Sequence, residues 1–141
     1  IEKKSNTIVA HITHPESFSA HKSVTLHSLG IRCIIDGKAN STSVIIPKGT
    51  EIPCEMNGVY LTSVDNQTSM GCETLLGENV DANQNRSIGK IILNDIPPLP
   101  KGQGKIEVAF KITPDRVLHV KTTNLHTRTY IEASYYLNNT I

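Results

Sequence analysis

The feature that most constrains the fold of this chain is a segment in which apolar and polar side chains alternate strictly. In Lys105–Ile112 the even positions are apolar and the odd positions are charged or small. A period of two places one face of a β-strand against a core and leaves the other face toward solvent. We therefore predict a half-buried strand over residues 105–112.

Five shorter runs of β-branched and apolar residues follow the same logic. They cover residues 43–46, 59–62, 90–93, 117–122 and 129–134. Turn formers such as Pro47-Lys48-Gly49 and Asn57-Gly58 bound these runs, and such residues supply the backbone angles that reverse a chain. No apolar set recurs with helical spacing over three turns, and residues 75–87 are polar enough to form a loop between strands. The pattern predicts an all-β fold, either an antiparallel sandwich or a barrel.

The amino-terminal part of the chain fits this rhythm of strands and turns least well. Residues 1–24 are rich in His and Ser, and Pro15 interrupts them, which is typical of a linker or an arm. Residues 7–12 are suited to an edge strand within that arm. The remaining residues, 25–141, have the length of one ordinary domain, so we expect them to form a single sandwich.

The charge and hydropathy of the chain argue against two classes of partner. With 14 basic and 13 acidic residues the net charge is about +1, which gives no field suited to nucleic acid or to an anionic membrane. No run of about 18 apolar residues occurs, and the first residues lack the pattern of a signal peptide. We expect neither nucleic acid nor a membrane as a partner.

The cysteines and histidines do not form a pattern that predicts a metal site. Cys33, Cys54 and Cys72 are an odd, widely spaced set, unlike a disulfide framework or paired zinc ligands, so we expect small core residues. His11 and His14 have a spacing that would suit one face of a helix, but Pro15 and β-branched neighbours oppose a helix there. We expect a solvated histidine pair.

Two further patterns fail on closer inspection. Asp81-x-Asn83-x-Asn85 copies the start of a calcium loop, but Arg86 stands where Gly is needed and Ile92 where a bidentate Glu is needed. No nucleophile elbow is present, and the glycine-rich residues 101–105 lead into a strand instead of a helix N-terminus. We expect no catalytic residues, no metal and no cofactor in this domain, and we do not expect it to be an enzyme.

Six loop motifs, taken in chain order, identify a family resemblance. They are Ser28-Leu29-Gly30-Ile31, residues 45–53 (Ile-Ile-Pro-Lys-Gly-Thr-Glu-Ile-Pro), Asp65-Asn66-Gln67-Thr68, Leu76-Gly77-Glu78, residues 96–102 (Ile-Pro-Pro-Leu-Pro-Lys-Gly) and Ile106-Glu107-Val108-Ala109-Phe110. Together they resemble the substrate-binding β-domain of the 70-kDa heat-shock chaperones. The similarity runs from about Thr25 to the end, where residues 130–134 and Leu137-Asn138 look like the last strand and the approach to a helical lid.

The resemblance implies a fold, a function and a set of partners. The family fold is a two-layer antiparallel β-sandwich that grips short extended hydrophobic segments of unfolded proteins, in protein folding and the stress response. The chain stops before the family's helical lid, and the nucleotide-binding domain that uses ATP and Mg²⁺ would precede it. For the full-length protein the resemblance implies J-domain co-chaperones and nucleotide-exchange factors, and a cytoplasmic home, with an organellar lumen or matrix as the alternative.

The resemblance also names the residues of a peptide groove. Ile34 and Ser63 match the two halves of an arch over the bound peptide, and Gln67 matches a hydrogen-bonding position. The remaining matches line the groove and its central pocket: Ile31, Cys33, Tyr60, Met70, Cys72 and Ile106.

The sequence departs from the family pattern at three places. About four extra residues lie within residues 35–41, beside the arch, and Met70 replaces a smaller β-branched residue, which should reshape the pocket. Ala20-His21-Lys22-Ser23-Val24 stands in place of the leucine-rich interdomain linker. Either the chain is a divergent member with altered coupling to ATP, or the match fails at the amino end. A divergent relative that no longer clamps peptide and instead regulates a true chaperone is the alternative function.

Overall fold

The computed structural model describes residues 2–3, 9–12 and 23–137, which form ten strands and one 3₁₀ turn. The strands are β1 (Glu2–Lys3), β2 (Val9–Ile12), β3 (Leu29–Ile35), β4 (Lys38–Ile46), β5 (Cys54–Leu61), β6 (Met70–Leu76), β7 (Arg86–Leu93), β8 (Lys105–Ile112), β9 (Val117–Asn124) and β10 (Tyr130–Tyr136). The 3₁₀ turn is Ala82–Gln84. Over these same ranges, no helix has the length and apolar character needed to cross a membrane.

Eight of the strands form two antiparallel sheets that pack face to face as a β-sandwich. One sheet has the order β10-β9-β8-β5 and the other has the order β4-β3-β6-β7. Strand β8 shows why the sequence folds this way, because its even residues from Ile106 to Ile112 are all buried between the sheets. The fold class predicted from the resemblance, an all-β two-layer sandwich, is confirmed.

The strands agree with the sequence pattern except where burial or pairing overrides it. Strand β8 has the predicted bounds, and the five shorter runs fall within β4, β5, β7, β9 and β10 to within one residue. The prediction that residues 75–87 form only a loop is wrong at both ends. Leu75 and Leu76 are buried and complete β6, while Arg86 and Ser87 begin β7 because their backbones pair with Leu76 and Leu75.

Part of the amino-terminal arm lies along the sandwich. Strand β2 pairs antiparallel with β5, from Val9 opposite Asn57 to Ile12 opposite Cys54. Residues 7 and 8 of the predicted edge strand, and Pro15, lie outside the described residues. The division of the chain at residue 24 remains a prediction.

Three of the loop motifs meet at one end of the sandwich, where β3 begins and β6 ends. The backbone N–H of Ser28 donates to Glu78 Oε2 at 3.0 Å, and Gly77 N–H donates to the Ser28 carbonyl at 2.9 Å. The Ser28 hydroxyl in turn accepts from the Lys48 N–H at 3.0 Å. This N–H of Ser28, together with His27, lowers the pKa of Glu78. The motifs therefore fix loop geometry at the end remote from the site described next.

Candidate functional site

The candidate site begins where β3 separates from its neighbour β6. The two strands pair only at Leu29, Gly30 and Ile31. Beyond that point the pairing of β3 with β4 shifts register between Cys33 and Ile35, so that Ile34 is skipped. Ile34 pairs instead with Glu2 of β1, in the parallel sense.

The other wall of the site is the edge of β5. One edge of β5 pairs with β8 along its whole length. On the opposite edge Glu2 pairs with Leu61 and Lys3 with Tyr60, both antiparallel. The backbone of Glu2–Lys3 thus lies between β3 and β5 and pairs with both strands. We call this space, bounded by Ile34, Tyr60 and Leu61, the β3–β5 cleft.

The loop that follows β5 is held in shape by the motif Asp65-Asn66-Gln67. Asp65 Oδ1 accepts from the Lys101 N–H at 2.7 Å, and the Asn66 N–H donates to the Leu99 carbonyl at 2.8 Å. Asn66 does so with a φ of 55°, a left-handed conformation that Asn tolerates better than most residues. Two motifs that are far apart in sequence therefore meet at this loop, which stands beside the β3–β5 cleft.

The polar residues predicted for the groove lie on this loop. Gln67 Oε1 accepts from the Ser63 N–H at 2.9 Å, and Gln67 Nε2 donates to the Ser69 carbonyl at 3.0 Å. The side chain of Gln67 therefore stabilises the loop. Ser63 and Ile34 are both half-buried, one on each side of the cleft, and the arch between them remains a prediction.

The apolar residues predicted for the pocket are all buried, with at most 3% of their surface exposed. They divide between two packed clusters of the core. Ile31, Cys33, Tyr60 and Cys72 belong to the larger cluster. Met70 and Ile106 belong to the smaller cluster, where Leu93 and Ile96 surround them. Tyr60 and Ile106 remain neighbours across the β5–β8 pairing, which joins the two groups.

Tyr60 spans the sandwich from one sheet to the other. Its hydroxyl lies 2.8 Å from the hydroxyl of Ser43 on β4, and both side chains are buried. A Cβ at Gly58 would lie 3.1 to 3.3 Å from the Tyr60 ring and hydroxyl, so the missing side chain leaves room for the ring. Burial raises the pKa of Tyr60 well above its usual value, and also raises that of Cys72 to about 11. Tyr60 is thus a neutral, hydrogen-bonded floor beneath the cleft.

A shallow recess opens where β3 and β6 diverge. It has a volume of about 270 Å³ and contains Cys33 and Ile34 on one side and Gly71 on the other. Arg32, which also lines it, donates from Nε to Glu73 Oε1 at 2.7 Å and from Nη1 to Asn83 Oδ1 at 2.7 Å. The hydrogen bond from Ser87 and the contact with Arg32 lower the pKa of Glu73. The recess therefore combines the polar side chains of Arg32 and Glu73 with the apolar side chain of Ile34, which also bounds the β3–β5 cleft.

The sequence patterns that resembled metal sites have other roles in the described structure. Asp81 Oδ1 accepts from the Asn83 N–H at 2.9 Å and caps the 3₁₀ turn, and Asn85 Nδ2 donates to the Asn79 carbonyl at 2.7 Å. Within residues 2–3, 9–12 and 23–137, no three His, Cys, Asp or Glu side chains lie close enough to share a metal ion. His14 lies outside the described residues, as does the side chain of His11. Cys33, Cys54 and Cys72 are buried, and none of the three forms a disulfide.

Sequence reasoning did not find three partners that shape this site. Ser43 and Leu61 fall in predicted strands and Glu2 in the predicted amino-terminal arm, but the sequence gives none of the three a role in the site. The local sequence does not identify these residues, because their contacts depend on how distant strands pair. Ser43 contacts Tyr60 across the core, and Glu2 pairs with Leu61 although the two are far apart in sequence.

The structure places this protein in the class of antiparallel β-sandwiches. In this sandwich a short extended segment, β1, lies in the β3–β5 cleft. The comparison with protein families then places the chain within this class. The family model described as Hsp70 protein matches residues 6–139, so this chain belongs to the Hsp70 family. The match begins well before residue 20 and thus includes the atypical amino-terminal stretch. Membership supports a chaperone-type function in general terms.

Proposed function

We propose that this domain binds short, extended hydrophobic segments of unfolded polypeptides in the β3–β5 cleft. It would act without chemistry of its own, as the substrate-binding part of a chaperone whose separate ATPase domain uses ATP and Mg²⁺. J-domain co-chaperones and nucleotide-exchange factors would be the partners of that full-length protein, in the cytoplasm. Membership of the Hsp70 family and the geometry of the cleft support the peptide-binding part of this proposal.

The observation that carries the proposal is the position of the Glu2–Lys3 backbone. It pairs with Ile34 on one side and with Leu61 and Tyr60 on the other. Addition of an extended segment to free strand edges is a general mode of peptide recognition, in which main-chain hydrogen bonds give affinity and side-chain pockets give specificity. The cleft therefore has the width and the edge groups that an extended peptide requires.

The preference for apolar segments follows from the residues beneath the cleft. The residues assigned to the pocket are buried, and no Asp, Glu, Lys or Arg is among them: Ile31, Cys33, Tyr60, Met70, Cys72 and Ile106. A charged peptide side chain pointing inward would lose its hydration without gaining a partner. We therefore expect selection for aliphatic side chains at the centre of the bound segment.

The second candidate function is the divergent relative that regulates a true chaperone without clamping peptide. The observation that favours it is the filled interior, because the six apolar residues are almost completely buried and Tyr60 is hydrogen-bonded to Ser43. Binding would then require these side chains to move, and packed cores resist such movement.

A peptide titration with matched variants separates the two candidates. The probe is a fluorescein-labelled heptapeptide with central leucines and basic flanks, followed by fluorescence anisotropy. The test variant is Ile34→Glu, at the half-buried rim of the cleft. The control is Val80→Glu, which makes the same kind of change at a side chain that is 78% exposed on the β6–β7 loop.

We expect saturable binding in the micromolar range, about −8 kcal/mol. Ile34→Glu should weaken it at least about tenfold, since a charge would face the apolar peptide, and Val80→Glu should leave it unchanged. A folded wild-type domain that does not bind the peptide would favour the second candidate. Equal affinities for wild type and Ile34→Glu would place binding outside the cleft.

A further inference from the structure

We propose that the segment carrying Glu2–Lys3 is a built-in competitor that occupies the β3–β5 cleft and must leave before a peptide can bind. This inference rests on the proposed function, and it adds a form of regulation to the same site. It differs from a simple edge-covering role because β1 bridges two strands that do not pair with each other.

The first argument is the place that β1 occupies. An arm that only protected the edge of β5 would pair with β5 alone, as β2 does from Val9 to Ile12. Strand β1 instead pairs with Ile34 as well as with Leu61. Ile34 is the residue of β3 that the β3–β4 register skips. The backbone groups that β1 uses are therefore those that an incoming peptide would need.

The second argument is that β1 can detach while the rest of the arm stays in place. On the arm, the five residues 4–8 separate Lys3 from Val9, but on β5 only Gly58 and Val59 separate their partners Tyr60 and Asn57. The arm thus has three residues more than a continuous ladder needs. By this count the covalent connection between β1 and β2 is long enough for β1 to leave the cleft while β2 stays paired with β5.

The third argument comes from the family match. The matched region begins at residue 6, so β2 lies inside it and β1 lies before it. The match therefore does not cover the segment that lies in the cleft. The device is inferred for this chain and not for the family.

The fourth argument concerns the strength of the competition. Strand β1 is two residues long, and its sequence, Glu2-Lys3, is charged, so it offers backbone pairing but no apolar side chain for the floor of the cleft. An apolar peptide can offer both. The tether through β2 gives β1 a high effective concentration, which lets such a weak ligand still reduce the fraction of open clefts.

The experiment compares two double substitutions in the 141-residue chain by the same anisotropy titration. Glu2→Pro with Lys3→Pro removes both backbone N–H groups from β1, whereas Glu2→Ala with Lys3→Ala removes both charges but keeps both N–H groups. If β1 competes, the proline variant should bind the heptapeptide more tightly, by about fivefold or more, because the apparent Kd rises as the open fraction falls. The alanine variant should match the wild type within about twofold, since its backbone pairing is intact.

The outcomes distinguish this inference from the proposed function. Equal Kd values for wild type and the proline variant would overturn the competition while leaving peptide binding established. Tighter binding by both variants would assign the effect to charge and would also overturn it. The absence of saturable binding in all three proteins would overturn the proposed function, and the competition with it.

A second measurement needs no substitution and therefore cannot fail through misfolding. Hydrogen exchange of the wild-type chain is followed by mass spectrometry with and without saturating heptapeptide. We expect faster exchange in the fragment that contains Glu2–Lys3 and unchanged exchange in β9 and β10, on the far side of the sandwich. Slower or unchanged exchange of the amino-terminal fragment would contradict displacement.

Discussion

At the scale of single residues, the hydrogen bond between Tyr60 and Ser43 fixes the position of the Tyr60 ring beneath the cleft. The two hydroxyls lie 2.8 Å apart in a region from which water is excluded. A buried hydroxyl that loses its partner costs more than the bond contributes when it is intact. The pair therefore holds the Tyr60 ring in one position and makes the floor rigid.

A double-mutant cycle tests this pair. Tyr60→Phe and Ser43→Ala should each lower the free energy of unfolding by about 1–2 kcal/mol, because each leaves one buried hydroxyl unpaired. The double variant should lose clearly less than the sum, since it leaves no orphan. The measurement is urea unfolding followed by circular dichroism. Strictly additive losses would show that the two hydroxyls do not interact.

The buried thiols predict a loss of stability in alkali. Burial raises the pKa of Cys72 and of Cys54 from 9.0 to about 11. Between these two pKa values the unfolded chain binds fewer protons than the folded chain. The contribution of the thiol to the free energy of unfolding is therefore fully present below pH 9 and falls as the pH rises toward 11. Each thiol should contribute up to about 1.4 kcal/mol per pH unit.

Urea titrations from about pH 8 to about pH 10.5, a range that begins below the ordinary thiol pKa and ends near the raised one, measure this slope. Cys72→Ala should lose part of the dependence, because alanine cannot ionise, although its stability near neutral pH will also change. The comparison is therefore between slopes and not between absolute stabilities. A slope identical to that of the wild type would contradict the role of Cys72.

At the scale of elements, the loop between β5 and β6 is fastened to the proline-rich segment before β8. Asp65 accepts from the Lys101 N–H, and Thr68 accepts from the Ile96 N–H at 3.0 Å. These bonds explain why two motifs separated by about thirty residues were both recognisable in the sequence. The loop carries Ser63, so its position sets one rim of the cleft.

Asp65→Ala tests that fastening. Loss of a charge-assisted hydrogen bond at an exposed site should cost about 1 kcal/mol of stability. Peptide affinity should fall by a few fold, because the rim must then be ordered on binding. Asp115→Ala, in the turn between β8 and β9, is the matched control and should leave peptide affinity unchanged. An unchanged peptide affinity of Asp65→Ala would show that the position of this loop does not affect peptide binding.

The elements differ in how well the sequence predicts them, for physical reasons. The bounds of strand β8 could be predicted because one of its faces is buried and the other is more exposed. Apolar and polar residues therefore alternate along it. Strand β3, Leu-Gly-Ile-Arg-Cys-Ile-Ile, lies inside its sheet and shows no such alternation. The cleft could not be predicted from the local sequence pattern, because it depends on the register shift at Ile34 and on the pairing of Glu2 with Leu61 of β5.

At the scale of the whole molecule, the two open sides of the sandwich are closed in different ways. On one side the backbone of β1 bridges β3 and β5. On the other side β10 approaches β7, and Tyr135 packs its ring over Gly89 so closely that a Cβ there would lie 2.3 Å from the ring. The first closure uses a short, polar segment and is reversible in our proposal, whereas the second uses packed side chains.

Gly89→Ala tests whether the contact between Tyr135 and Gly89 keeps β10 and β7 together. The added methyl group would force the Tyr135 ring away, and overpacking of this kind typically costs about 1–3 kcal/mol. Gly71→Ala is the control, because its new Cβ would meet only the flexible end of the Lys90 side chain, at 2.7 Å.

Hydrogen exchange should show the loss of protection in β10 for Gly89→Ala and normal protection for Gly71→Ala, since β10 is held to the sandwich by β9 on one side and by this contact on the other. Adding Tyr135→Ala to Gly89→Ala should remove the clash, so that the combined loss is smaller than the sum of the single losses. Additive losses would mean that Gly89 and Tyr135 do not hold the two sheets together. In that case the sandwich could open on both sides, and peptide binding would no longer need to be confined to the β3–β5 cleft.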